Sequence, residues 1–308
     1  MSALCPPGAV TQWLCTDDTI KLRAMYWPQD AAAMVRGTVV ILQGRTECIE
    51  KYFETIGELR ARGFVVAAFD WRGQGLSDRH LEDGHKGHVW NFAEYHRDLD
   101  CFLDSFVMTA PELPAPYYIL AHSMGAHIAV RYLHDRPEPF ARAVLCSPMA
   151  YINTAPLPHF IARAIAAAGT ALGFAESYVP GGKPYDPNRN AFEGNPLTHD
   201  AARFAREAHL FRGNPDLAIS APTLGWIDAA YRSMKMAEQA HFCAAIKTPA
   251  LIIYGSEETV SSPRHQARLA ELLPNCEAYC ITGARHEILQ ETDEIRAQFW
   301  AAFDRFIV

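Results

Sequence analysis

Five consecutive residues, Ala121-His122-Ser123-Met124-Gly125, carry the clearest chemical signal in this 308-residue chain. They lie between an apolar strand-like run, Tyr117 to Leu120, and a helix-like stretch, Met124 to His134. A serine so placed matches the nucleophile-elbow pattern G-x-S-x-G, with Ala121 in place of the first glycine. Small neighbours are needed because a strand that reverses abruptly into a helix strains the serine backbone and leaves no room two residues to either side. The helix N-terminus behind Ser123 offers free N–H groups and positive potential, which favour the oxyanion formed when an acyl carbonyl is attacked. A serine hydroxyl also needs a base held in one tautomer by a carboxylate. His286, in Gly283-Ala284-Arg285-His286-Glu287, follows a late strand and is the candidate base. Glu258, in Gly255-Ser256-Glu257-Glu258-Thr259-Val260, is a candidate acid, with Glu257 adjacent and Asp70 also at a strand end. Asp70 reads as the organiser of its own glycine-rich loop, and Glu287 as a solvated charge.

The second oxyanion donor is expected from the loop after the first strand of the parallel series, Gln43-Gly44-Arg45-Thr46-Glu47. Gly44 lets backbone approach the site, which sets the Arg45 N–H opposite the Met124 N–H; both roles are main-chain.

These residues need a scaffold, and the hydrophobic pattern supplies one. Apolar runs at 37–42, 64–69, 117–120 and 143–146 are each followed by turn residues, most then by a helical pattern, and the alternation resumes at 250–255 and 277–281. That is the signature of an α/β protein with a mostly parallel sheet. Helices are expected at 49–62, 92–109 and 291–306. Residues 149–247 break the rhythm with helical patterns and Pro/Gly clusters, so the core is assigned to 1–148 and 248–308 and the rest to a helical insertion. Within it, 158–174 is apolar with small residues on several faces, a helix start is expected at Thr198, and Trp226, Tyr231 and Met234 are candidates for an apolar pocket. His199 reads as a satisfied loop histidine.

Composition narrows the function. Hydrophobic residues make up 49% and the net charge is −7, so no basic footprint for nucleic acid exists. Eight scattered cysteines without a CxxC pair read as reduced thiols. No basic-then-apolar leader opens the sequence, so a cytoplasmic location is expected, with membrane contact only peripheral and through the insertion. His80, His85 and His88 lie near Glu82 and Asp83, but without a helical HExxH spacing; neither metal nor cofactor is expected.

With these motifs in place, the sequence resembles the α/β-hydrolase superfamily, within it the lysophospholipase and monoacylglycerol lipase branch of serine hydrolases. The resemblance is carried by 42–47, by Phe69-Asp70-Trp71-Arg72-Gly73-Gln74-Gly75-Leu76-Ser77, by 121–125, by 255–260 and by 284–287. It implies an α/β-hydrolase fold with a helical cap at 149–247, Glu258 as the acid by register, and ester hydrolysis of lysophospholipids or monoacylglycerols through an acyl-enzyme. Short-chain esters or thioesters are the alternative within that chemistry, a binding protein on the same fold the alternative outside it, and peptide hydrolysis stays open. The family usually has histidine at position 43, glycine at 121 and aspartate at 258. Gln43 keeps a hydrogen-bonding side chain, and Glu258 reaches the histidine with one more methylene.

Overall fold

The computed structural model describes residues 5–29, 34–187 and 191–307. Eight strands form one sheet in the order β1-β2-β4-β3-β5-β6-β7-β8. They are β1 (Val10–Cys15), β2 (Lys21–Trp27), β3 (Thr38–Leu42), β4 (Val65–Phe69), β5 (Tyr117–His122), β6 (Phe140–Cys146), β7 (Ala250–Gly255) and β8 (Cys276–Ile281). From β4 to β8 across the sheet every pairing is parallel, whereas β1 and β2 form an antiparallel hairpin joined to β4 through Ala24↔Phe69. β3 and β4 are buried along their whole length, which is why they read as unbroken apolar runs.

Successive side chains on a strand face opposite ways, so the sheet feeds two cores. Val40 and Leu42 join one, with Leu99, Phe102 and Ile128 from α2 (Ala93–Phe102) and α3 (Ser123–Asp135). Val39 and Ile41 join the other, with Ile56 and Leu59 of α1 (Phe53–Ala61) and Phe299 and Phe303 of α9 (Asp293–Phe306). The stretch expected as one helix at 49–62 starts as a 3₁₀ turn, Ile49–Tyr52, and α2 runs on into a π-helical turn, Leu103–Val107. The hairpin β1–β2 and α8 (Pro263–Leu272) were not apparent in the sequence pattern.

Between β6 and β7 the chain forms α4 (His159–Ala171), α5 (Ala201–Gly213), α6 (Leu224–Ala237) and α7 (Ala240–Ala245). α5 starts later than Thr198, because the Asp200 side chain accepts the Arg203 N–H and so caps the helix there. These helices differ in their burial. α6 and α7 contribute Trp226, Ala230, Tyr231, Met234 and Phe242 to the same core as α3. α4 packs on α6, with Gly169 against Leu224, but leaves its own Phe160, and Leu172 and Phe174 just after it, in solvent.

Candidate active site

The turn from β5 into α3 places Ser123 at φ +49°, a left-handed conformation that costs a non-glycine residue energy and persists only where the surroundings impose it. Gly125 shows the constraint: a Cβ there would stand 2.3 Å from the Leu42 carbonyl oxygen and 2.4 Å from that of Gln43. Ala121, by contrast, sits in the sheet between Leu42 and Leu145, where its single methyl is accommodated. The Ser123 carbonyl accepts the Met149 N–H at 3.0 Å, tying the elbow to the chain that leaves β6.

His286 reaches Ser123 from the loop after β8. Its Nε2 is 3.0 Å from Ser123 Oγ and its Nδ1 is 2.5 Å from Glu258 Oε2. The other Glu258 oxygen accepts the N–H groups of Val260 at 2.7 Å and Ser261 at 3.0 Å. Burial works to raise the Glu258 carboxyl, but the His286 hydrogen bond and charge, with the two amides, outweigh it and hold it at about 2. Glu257 turns away, 3.2 Å from His199 Nε2. The His286 carbonyl accepts from Ser147 Oγ at 2.8 Å and from the His122 ring at 3.2 Å. Gly255 lets this loop close on β7, since a Cβ there would be 2.1 Å from the Ala284 carbonyl oxygen.

The loop after β3 is braced from several sides. Gln74 Oε1 accepts the Thr46 N–H at 3.0 Å and its Nε2 donates to the Gly44 carbonyl at 2.9 Å. Trp71 Nε1 donates to the Gln43 carbonyl at 3.0 Å. Glu47 Oε2 accepts from the Gly44 N–H at 2.5 Å and from Tyr52 Oη at 2.6 Å. The Gln43 side chain itself is buried and makes no hydrogen bond to the described residues, so the hydrogen bond its type suggested is absent among them. Met124 occupies the first turn of α3, where a backbone N–H has no intrahelical acceptor. Asp70 organises its loop as expected: it accepts the N–H groups of Ile49 at 3.0 Å and Leu76 at 2.9 Å and pairs with Arg23.

Glu287 corrects the reading of a solvated charge. It is buried, 2.7 Å from Lys51 Nζ, and its N–H donates to the Leu197 carbonyl at 2.9 Å. Lys51 also meets Glu47 at 3.0 Å and Glu207 of α5 at 3.1 Å. His122 Nδ1 lies 3.0 Å from Glu47 and completes the cluster. Burial disfavours the His122 charge, but Glu47 outweighs that and raises it above its ordinary value. None of these four charges carries a local signal of its role; 47, 51, 207 and 287 resemble surface charges until the fold joins them.

Ser123 and His286 open into a cavity of about 250 Å³. Its apolar wall is Met149, Ile152, Leu197, Trp226, Ile227 and Val260; Arg45 and Glu207 also line it. Trp226 thus reaches this cavity, Met234 lines a separate one of about 270 Å³ with Ala237 and Leu269, and Tyr231 stays in the core. His85 Nδ1 contacts the Ala218 carbonyl at 3.1 Å and His88 Nδ1 the Thr223 hydroxyl at 2.7 Å, and His80 lies 3.4 Å from Glu94. All eight cysteines are free thiols. No helix of the described residues is long and apolar enough to cross a membrane.

The chain is 30% identical over 298 residues to the probable lysophospholipase L2 of Haemophilus influenzae, covering 96% of this chain and 91% of that one. It is 34% identical over 272 residues to lysophospholipase L2 of Escherichia coli K12, covering 84% and 76%. Among solved structures, a soluble variant of the monoglyceride lipase of Saccharomyces cerevisiae superposes with a TM-score of 0.78 at 19% identity, over 98% of this chain and 96% of that one. Residues 33–293 match the serine aminopeptidase S33 family, and with the parallel sheet and strand-to-helix turn described above, the chain belongs to that family of α/β-hydrolases.

Proposed function

We propose that the protein is a serine esterase that hydrolyses lysophospholipids or monoacylglycerols. The observation that carries this reading is the hydrogen-bonded series Ser123–His286–Glu258 at the floor of a largely apolar cavity. In it Ser123 Oγ attacks the acyl carbonyl and passes its proton to His286 Nε2. Glu258 holds the opposite Nδ1–H and stabilises the imidazolium. The Arg45 and Met124 amides donate to the oxyanion. His286 then returns the proton to the departing glycerol oxygen, and water, activated by the same imidazole, releases the fatty acid from Ser123. The lysophospholipase names of the Haemophilus and Escherichia relatives support the substrate class.

In this reading residues 149–247 form the cap over the site, and Phe160, Leu172 and Phe174 make its peripheral contact with lipid. Exposed large apolar side chains at both ends of one helix favour burial at an acyl boundary.

The test is labelling with a fluorophosphonate, mapping of the modified residue, and a substrate panel of long- and short-chain esters with an aminoacyl arylamide. Labelling at Ser123 with turnover strongest on long acyl chains is the expected result, and Ser123→Ala should abolish both with an unchanged melting temperature. Labelling elsewhere removes Ser123 as nucleophile; preferential cleavage of the arylamide makes the protein a peptidase.

A further inference from the structure

Buried guanidinium groups in this protein are commonly paired with carboxylates. Arg23 meets Asp70 and Glu50, Arg72 meets Asp98 and Asp18, and Arg203 and Arg296 both meet Glu54. Pairing offsets the cost of taking a charge out of water. Arg45, half-buried with its Nε enclosed, departs from this. Among the described residues no carboxylate lies within ion-pairing distance of it, although it lines the cavity that holds Ser123 and His286. Arg79 and Arg131 also lack a carboxylate partner, but neither lines that cavity, and Arg79 donates to three carbonyls.

The Arg45 side chain is held as a fixed fork. Its Nη2 donates to the Ser220 carbonyl, its Cζ stands 5.2 Å from the centre of the Trp226 ring, and its Nε is enclosed without an acceptor. Gly87 makes room for it, since a Cβ there would come within 2.8 Å of Nη2. The Ser220 carbonyl is itself fixed, because the Ser220 N–H donates to the His85 carbonyl at 2.8 Å. Burial lowers the guanidinium to about 10, so it remains charged at neutral pH. The acidic groups on the same cavity, Glu47, Glu207 and Glu287, all gather on Lys51, and none of them pairs with Arg45.

We propose that the Arg45 guanidinium binds the phosphate of a lysophospholipid while the backbone N–H of the same residue faces the reacting carbonyl. With Nε enclosed and one Nη2 proton given to Ser220, Nη1 and the second Nη2 proton form the edge left to a phosphate, which accepts two hydrogen bonds from such an edge. The spacing agrees: the ester carbonyl carbon and the phosphorus of a 1-acyl lysophospholipid are six bonds apart, as are the backbone nitrogen and Cζ of an arginine. Residue 45 therefore marks both ends of the headgroup-bearing glycerol. The inference rests on Ser123 being the nucleophile and makes the site one that prefers a phosphodiester-bearing ester over its neutral counterpart.

The test compares wild type, Arg45→Met and Arg45→Lys on 1-palmitoyl lysophosphatidylethanolamine and on 1-palmitoylglycerol, which share an acyl ester and differ in the phosphate. The ratio of the two kcat/KM values should fall ten- to a hundredfold in Arg45→Met, chiefly through KM for the phospholipid, and recover in part in Arg45→Lys. Both substrates losing equally, or an unchanged ratio, overturns the proposal. Binding provides a second readout that does not depend on turnover: calorimetry on the Ser123→Ala protein with short-chain ether analogues below their micellar concentration. There the phosphate-bearing ether should bind more tightly than the neutral one, and the difference should vanish in Ser123→Ala/Arg45→Met. Equal binding of the two ethers overturns the proposal even if esterase activity proves to reside elsewhere, whereas preserved phosphate selectivity with active Ser123→Ala protein would remove the nucleophile assignment alone.

Discussion

Replacing Glu258 by glutamine probes the series Ser123–His286–Glu258 with an unusually specific outcome. One carboxylate oxygen accepts two backbone N–H groups, from Val260 and Ser261, and the other faces His286 Nδ1. A glutamine in that pocket must point its carbonyl oxygen at the two N–H donors, because its NH₂ group cannot accept from them. The NH₂ then faces His286 Nδ1, which must become an acceptor, and the ring proton moves to Nε2, toward Ser123. An imidazole in that tautomer cannot take the serine proton. The expected cost is about 10⁴-fold in kcat, or roughly 5.5 kcal/mol of transition-state stabilisation. Stability should change little, since the two backbone hydrogen bonds survive. Glu258→Ala makes the contrast: it leaves the Val260 and Ser261 donors without their acceptor, at roughly 1–3 kcal/mol each, and should melt several degrees lower than Glu258→Gln. Steady-state kinetics on a soluble ester and a melting curve for each variant suffice. A Glu258→Gln kcat within tenfold of wild type, or a melting temperature below that of Glu258→Ala, would refute the tautomer argument.

Three other perturbations follow from packing and charge. Gly125→Ala sets a methyl against the carbonyl oxygens of Leu42, the last residue of β3, and Gln43 after it, and should destroy esterase activity and lower the melting temperature, unlike Gly57→Ala on α1, where nothing lies within 4 Å. Phe160→Ser with Leu172→Ser should weaken co-sedimentation with phospholipid vesicles while leaving hydrolysis of a dissolved short-chain ester near wild type; unchanged sedimentation would place the lipid contact elsewhere. Burial tends to raise the Glu54 carboxyl, but Arg203, Arg296 and Arg206 outweigh it and hold it at about 2. Its stabilisation is complete above its ordinary value near 4.5 and is lost as the pH falls toward 2, at most roughly 3 kcal/mol and nearer 1–2 after solvent screening. Chemical denaturation at stepped pH should show that loss between pH 4.5 and 2, and Glu54→Gln should flatten it.

The parallel strands were legible because both faces are buried, so Val39 to Leu42 and Val65 to Phe69 appear as continuous apolar runs. The strand-to-helix turn at Ser123 was legible because its geometry admits few residue types. The hairpin β1–β2 escaped because β1 is an edge strand, exposed at Val10, Thr11, Gln12 and Trp13, with no apolar run. α8 escaped because Pro263, Arg264, His265 and Gln266 open it without an apolar period, and only Gln266, Leu269 and Ala270 are buried. Glu287 was misread for a different reason: what neutralises it is a lysine more than two hundred positions away, and its backbone is held by Leu197, ninety positions away.

The uneven burial of residues 149–247 sets where this protein can exchange parts with its relatives. Trp226, Ala230 and Met234 of α6 are as much the floor of α3 as any side chain of the sheet. A transplant of the whole segment would therefore carry away part of the support beneath the turn at Ser123 and arrive with a mismatched interior. A transplant confined to 153–222 cuts at exposed backbone on one side and just before Thr223, which caps α6, on the other. Such a chimera inherits its donor's α4 and part of its cavity wall while the recipient keeps α6 and α7, and it works only where the donor's α5 supplies Lys51, Glu54 and Cys48 with the partners that Glu207, Arg203 and Phe211 provide here.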